Sequence, residues 1–117
     1  MNRPPPDVAA LLAWIASEPA LDTLLAEARA RDDGSDPTHD VAHALRVALW
    51  TLRLGGDAID AREAIAAALL HDAVNPPKDS PERAAASERS AELAAQRLPA
   101  LGFEPAEIGR ASCRERV

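Results

Sequence analysis

An apolar run, AIAAALL at residues 64–70, ends directly in His71 and Asp72. A helix that is apolar on every side is buried in its fold, so the run predicts a buried helix. An imidazole and a carboxylate then stand side by side where that helix ends. Two prolines, a lysine and an aspartate follow, and they predict an extended loop after the helix.

Two helices are predicted ahead of this region, at about residues 7–30. Asp7 is a good N-cap for the first helix, leucines recur at helical spacing in both, and Pro19 separates them. The cluster RDDGSDP at residues 31–37 predicts a turn. We expect the two helices to lie as a small cover on a core that starts near residue 36.

Three further helices are predicted after the turn. Thr38 or Asp36 is expected to cap the first of them, and two glycines at residues 55–56 end it. The second covers residues 61–70. The third has a serine cap and a proline at its first position, and it is expected to cover residues 81–98.

The composition favours a single domain of helices. The chain has 117 residues, and its 47% hydrophobic content is carried by alanine and leucine, with only 3% aromatic residues. Such a composition is typical of a helical core built from small side chains, and no β-type alternation of any length occurs. We therefore interpret residues 1–107 as one all-α domain, a helical bundle.

Charge and cysteine content exclude several classes of function. The net charge of −6 argues against a nucleic-acid polymer as partner. No apolar run approaches the ~18–20 residues that cross a bilayer, and the N-terminus lacks the apolar segment of a signal peptide. The single cysteine, Cys113, cannot form an internal disulfide. A cytoplasmic protein without a membrane partner is expected, and the oligomeric state is not predicted.

The last ten residues, IGRASCRERV at 108–117, differ from everything before them. They contain three arginines and the only cysteine, with no apolar periodicity. They also resemble the in-frame translation of a common sequencing-library adapter. We interpret residues 108–117 as a non-native tail and expect the native chain to continue differently after about residue 107. The alternative interpretation is that these residues form a natural, disordered, basic C-terminal tail.

The three histidines lie in two short windows. THDVAHALRV places His39 and His43 four residues apart, which puts both on one helix face. LLHD supplies His71 and Asp72 at a helix end. Imidazole nitrogens and carboxylate oxygens suit divalent ions such as Mn, Fe, Zn, Ni or Co. The sequence thus favours a metal site in which His43 from a facing helix joins His71 and Asp72.

Together, HALRV and AALLHD resemble the HD-domain metal-dependent phosphohydrolase superfamily, over about residues 36–102. The resemblance implies an HD-type helical bundle with one divalent ion (Mn, Fe, Ni, Co, Zn or Mg) and the ligands His43, His71 and Asp72. A fourth ligand of the superfamily, a later Asp, has no match in this chain. If the tail is non-native, that ligand lies in the missing C-terminal part, and the fragment is expected to be weakly active or inactive.

The activity that the resemblance implies is metal-assisted hydrolysis of a small phosphorylated substrate, with a nucleotide as first guess. Asp72 would orient the attacking water, and His39 would contact the leaving group or the phosphate. Lys78 and Arg83 would flank the N-terminus of a helix and bind the phosphate there. The remaining candidates for substrate binding are Ser87, four residues after Arg83, and Arg46, three residues after His43.

Two other interpretations of these residues stay open. HDVAH resembles the zinc-protease helix H-x-x-x-H, although Asp40 stands where that motif needs Glu. The chain is alternatively a degenerate HD module that binds a nucleotide or a protein partner without catalysis. Ordinary roles also exist for single residues: Trp14 and Trp50 are interpreted as core residues rather than as platforms for substrate.

Overall fold

The computed structural model describes residues 3–34, 40–71, 73 and 79–105. Within these ranges every regular element is helical and no strand occurs, so the all-α prediction is confirmed. Two short 3-10 helices, Gly56–Ala58 and Pro81–Ala85, join or extend the longer elements. The α-helices are α1 (Val8–Ala16), α2 (Pro19–Arg31), α3 (Val41–Gly55), α4 (Ala61–Leu70) and α5 (Ala86–Ala100).

Helix α4 lies at the centre of the bundle. All of residues 63–70 are buried, and α4 packs against α2, α3 and α5. Its alanines at positions 64 and 66–68 leave room for close approach of the neighbouring helices, while Ile65 and Leu70 fill the remaining space at 0% and 1% exposure. The prediction of a buried helix at residues 64–70 is confirmed.

Helices α1 and α2 pack on each other, α1 also contacts α3, and α2 contacts α4. Asp7 caps α1 as predicted, because its Oδ1 accepts a hydrogen bond of 2.9 Å from the amide of Ala10. A bidentate ion pair links α5 to α2: the Arg97 guanidinium donates to both carboxylate oxygens of Glu27 at 3.0 and 2.5 Å. This hydrogen bonding raises the pKa of Arg97 above its ordinary value.

The start of α3 differs from the prediction. Asp40 is the N-cap, and its Oδ1 accepts the amide of His43 at 2.8 Å. Thr38 and Asp36, the predicted caps, lie outside the described residues. The end of α3 agrees with the prediction, since Gly56 has a φ of 53° and terminates the helix.

The helix predicted from Pro81 begins as a 3-10 helix, and the α-helix starts only at Ala86. The predicted serine cap is present: Ser80 Oγ accepts the amide of Glu82 at 3.2 Å. The Ser80 carbonyl also accepts the amide of Arg83 at 3.1 Å, three residues on, which is the 3-10 pattern. The predicted α-helix was therefore wrong for the segment Pro81–Ala85.

The prediction that both tryptophans belong to the core was half right. Trp14 is partly buried and packs against the core, but Trp50 is 57% exposed. Trp50 lies on the side of α3 away from its buried leucines, one turn before Leu54, which is 82% exposed. The Arg53 guanidinium covers the Trp50 ring at 5.5 Å from its centroid and donates to the carbonyl of Pro6.

Among the described residues, no single helix has both the length and the apolar character needed to cross a membrane. The bent pair α1 and α2 reaches that length and composition only when taken together, with 118° between its members.

Candidate metal centre

The contact between α3 and α4 brings two histidines together. His43 lies in the first turn of α3, and His71 is the C-cap of α4. Their ring centroids are 6.3 Å apart, and the ring planes are tilted by 42°. Both side chains are partly exposed, so the pair lies at the surface of the bundle rather than inside the core.

The His71 ring is oriented by the helix that precedes it. Its backbone amide donates to the carbonyl of Ala67 at 2.9 Å, and its Nδ1 lies 2.8 Å from the carbonyl of Ala68. A carbonyl can only accept, so Nδ1 carries the proton. The lone pair of the neutral ring is then on Nε2. A backbone carbonyl that holds the distal nitrogen in this way is the usual support for a metal-binding histidine.

The turn that carries His43 is held by the Asp40 carboxylate. The hydrogen bond from the His43 amide to Asp40 satisfies one of the amides that a helix N-terminus leaves without an intrahelical partner. A carboxylate at this end is also favoured by the helix dipole. The sequence is also consistent with residues 38–40 as a helix N-terminus where the dipole favours Asp40, although Thr38 or Asp36 was the predicted cap. The sequence signal for the capping role of Asp40 was an Asp three residues before the amide that it binds.

The separation of the two rings allows a shared ion only if the two nitrogens lie almost opposite each other or if the rings move closer together. Metal–nitrogen bonds of ~2.0–2.1 Å place the centroids of two imidazoles on one ion roughly 4.5–6.5 Å apart, depending on the angle between them. The observed 6.3 Å lies at the wide end of that range. No group of three or more potential ligands occurs among the described residues. Asp72, the third predicted ligand, follows His71 directly and lies outside them.

The structure describes only some of the predicted site residues. His39, Asp72 and Lys78 lie outside the described ranges. Arg46 is exposed on α3, and Ser87 is exposed in the first turn of α5.

Arg83 is partly buried in the segment Pro81–Ala85. The amides of Glu82 and Arg83, which the predicted phosphate site would use, already donate to Ser80. A phosphate bound by Arg83 would therefore be held by its side chain rather than by a free helix N-terminus.

A family model described as HD domain matches residues 40–115. The match covers about two thirds of the chain and includes both His43 and His71. The chain belongs to the HD domain family. HD domains typically bind divalent metals, and the domain is typical of metal-dependent hydrolases. No curated protein and no solved structure matches the chain. The interpretation of residues 108–117 as a non-native tail stays a prediction.

Proposed function

We propose that this protein is a cytoplasmic, divalent-metal-dependent phosphohydrolase that acts on a small phosphorylated substrate, with a nucleotide as the first candidate. The observation that supports it most is the pair His43 and His71, whose ring centroids are 6.3 Å apart where the start of α3 meets the end of α4. The chain's membership of the HD domain family gives this pair its expected role. The Nδ1 contact of His71 adds to this support, because it fixes the tautomer in which Nε2 carries the lone pair that a metal would bind.

His43, His71 and Asp72 would hold the ion. A bound divalent ion supplies Lewis acidity for a phosphoryl oxygen and lowers the pKa of a bound water. The carbonyl of Ala68 keeps the His71 ring in one orientation and one tautomer, so that little reorganisation accompanies binding. Asp72 would orient the attacking water, and His39 would contact the leaving group or the phosphate.

The phosphate side of the site would be formed by cationic and hydroxyl side chains. Lys78 and Arg83 belong to the segment that follows His71 and Asp72, and Ser87 lies one turn beyond Arg83. Arg46 lies on the exposed surface of α3, three residues after His43. Guanidinium groups suit phosphate because they donate two parallel hydrogen bonds to its oxygens.

The test combines metal analysis with an activity screen. The purified chain is loaded with Mn²⁺, Co²⁺, Ni²⁺, Zn²⁺ or Mg²⁺ and offered nucleoside mono-, di- and triphosphates and a generic phosphate ester. Because the chain lacks a match for the fourth ligand, we expect only weak phosphate release that depends on the ion. We expect His71→Ala to abolish metal binding, together with any such activity. Gln96→Ala, an exposed change on α5 outside the site, is the matched control.

Three outcomes are distinguishable. Metal content that His71→Ala leaves unchanged would contradict the ligand assignment. Metal and nucleotide binding without hydrolysis, also in a chain extended by a later Asp ligand, would favour the degenerate HD module. Hydrolysis that is lost with both His43→Ala and His71→Ala, but kept in Gln96→Ala, supports the enzyme.

A further inference from the structure

We propose that Asp32 is a positioning residue for the metal centre, because its carboxylate ties the end of α2 to the turn of α3 that carries His43. The inference rests on the proposed function, in which His43 binds the ion. Asp32 touches neither substrate nor ion in this proposal. It acts through the backbone of α3.

Asp32 is the C-cap of α2 and makes three backbone contacts. Its amide donates to the carbonyl of Ala28 at 3.1 Å, which closes the last turn of α2. Its Oδ1 accepts the amide of Gly34 at 2.9 Å, and its Oδ2 accepts the amide of Val41 at 3.1 Å. Gly34 has a φ of 76°, a conformation that favours glycine. One carboxylate thus joins backbone positions on both sides of the connection between α2 and α3.

The Val41 amide is the first of α3, and the His43 amide is the third. The first four amides of a helix lack intrahelical partners. Two carboxylates from different parts of the chain take two of them: Asp32 takes Val41, and Asp40 takes His43. The first turn of α3 is therefore held on both sides of Ala42, immediately next to the candidate ligand.

Asp32 can hold this turn because α2 is itself fixed by packing. Leu24, Leu25 and Ala28, on the C-terminal half of α2, are at most 8% exposed, and α2 packs against α4. Helix α4 carries His71 at its end. A continuous path of packed helices and one carboxylate therefore links the two histidines, in addition to the direct contact of α3 with α4.

Loss of this carboxylate should loosen the first turn of α3 without unfolding the bundle. Helix ends open locally at low cost when their caps are removed. Partners that directly orient a metal ligand change affinity by about 10- to 100-fold when mutated. Asp32 acts one step further away, so we expect Asp32→Ala to weaken metal binding by about 3- to 10-fold.

The molecule offers a matched control in Asp7. Asp7 is also an exposed aspartate, and its carboxylate accepts a helix amide at 2.9 Å, but it caps α1, which carries no candidate ligand. Asp7→Ala should lower the melting temperature in the same way as Asp32→Ala while changing metal affinity by less than about 2-fold.

The experiment titrates the chain with Co²⁺ alone and follows both the affinity and the visible absorption of the bound ion. Four variants are compared with the unaltered chain: Asp32→Ala, Asp32→Asn, Asp7→Ala and His43→Ala. Asp32→Asn has the same shape but only one acceptor oxygen, so it can serve one of the two amides and should give an intermediate loss. A changed Co²⁺ spectrum in the Asp32 variants would show altered ligand geometry, which a general loss of stability would not produce.

Equal Co²⁺ affinity in Asp32→Ala and Asp7→Ala, together with an unchanged spectrum, would overturn the inference. Should Asp32→Ala fail to fold by circular dichroism, the isosteric Asp32→Asn decides the question by the same comparison. His43→Ala separates this inference from the proposed function. If His43→Ala binds Co²⁺ normally, the proposed metal site itself is wrong; if binding is lost there but unchanged in the Asp32 variants, only the role of Asp32 is wrong.

Discussion

The two candidate ligands occupy helix ends that are built in different ways. His71 ends α4, which is buried along residues 63–70, and its ring nitrogen contacts a carbonyl of the same helix. His43 lies in the first turn of α3, where the side chain of Arg46 is exposed and hydrogen bonds from Asp32 and Asp40 hold the backbone. His71 thus follows a helix that is buried on every side, whereas His43 depends on carboxylate caps in addition to the packing of Val41, Ala44 and Leu45 on one face of α3.

This difference predicts where the site adjusts when an ion binds. Burial of a large apolar side chain contributes about 1.5–3 kcal/mol, whereas a helix cap contributes about 0.5–2 kcal/mol. The first turn of α3 is therefore expected to move at a lower energetic cost than the last turn of α4. Since the centroid distance of 6.3 Å lies at the wide end of the range for a shared ion, we expect His43 to move towards His71 on binding.

The largest expected effect comes from the packed side of this comparison. Leu70 is 1% exposed and immediately precedes His71. Leu70→Ala should lower the free energy of unfolding by about 2–5 kcal/mol, because it removes a buried side chain and leaves a cavity. The measurement is urea denaturation of the metal-free chain.

Leu54→Ala is the matched control, since Leu54 is 82% exposed and the same truncation should cost less than about 0.5 kcal/mol there. Similar losses at positions 54 and 70 would mean that α4 does not have the central position described above.

A second prediction compares two caps of the same kind. Asp40 caps α3 next to His43, and Asp60 caps α4 at the end opposite to His71, with an Oδ1 contact of 2.9 Å to the amide of Glu63. Each change to alanine should lower the free energy of unfolding by about 0.5–2 kcal/mol. Only Asp40→Ala should also weaken metal binding, because only this cap adjoins a candidate ligand.

Calorimetric titration with Zn²⁺ or Mn²⁺, beside denaturation curves, separates the two effects. If Asp60→Ala weakened metal binding as much as Asp40→Ala, metal affinity would follow the overall stability of the bundle. The cap next to His43 would then have no special role, and the contrast between the two helix ends would fail.

Apolar patterning was enough to predict the helices, because burial of leucine and alanine determines which segments pack. The central position of residues 64–70 follows directly from their lack of any polar side. The pair His43 and His71 was predicted for a different reason: imidazole and carboxylate ligands in two short windows suit a divalent ion, and HALRV with LLHD resembles the HD superfamily. Neither the helices nor the histidine pair required the conformation of the connecting loops to be predicted.

The features that could not be predicted are the cap of α3, the 3-10 start before α5 and the Asp32 contact. Each depends on which of several local hydrogen bonds forms, and these alternatives have similar energies. Asp36, Thr38 and Asp40 are all good caps, and sequence alone does not decide which of them meets the helix. In the same way, Ser80 and Pro81 signal a helix start without deciding between 3-10 and α geometry. The Asp32 contact joins residues nine apart and has no sequence pattern of its own.

The smallest expected effect concerns the outer face of α3. Trp50 is 57% exposed, and the Arg53 guanidinium lies 5.5 Å from the centroid of its ring. An exposed cation–π contact contributes about 0.5–1 kcal/mol, so Trp50→Ala should lower the free energy of unfolding by about 1 kcal/mol or less. Metal affinity should stay unchanged, because Trp50 lies about two helical turns from His43, roughly 10 Å along the axis.

Tryptophan fluorescence is unsuitable as the readout for this variant, so circular dichroism in urea is the measurement. A loss of several kcal/mol would show that the face of α3 away from its leucines is packed in solution, and α3 would then be held on both sides as α4 is. A small loss, together with the large effect of Leu70→Ala, would show that α3 is packed on one face only, so that the hydrogen-bonded caps are a needed second restraint on His43.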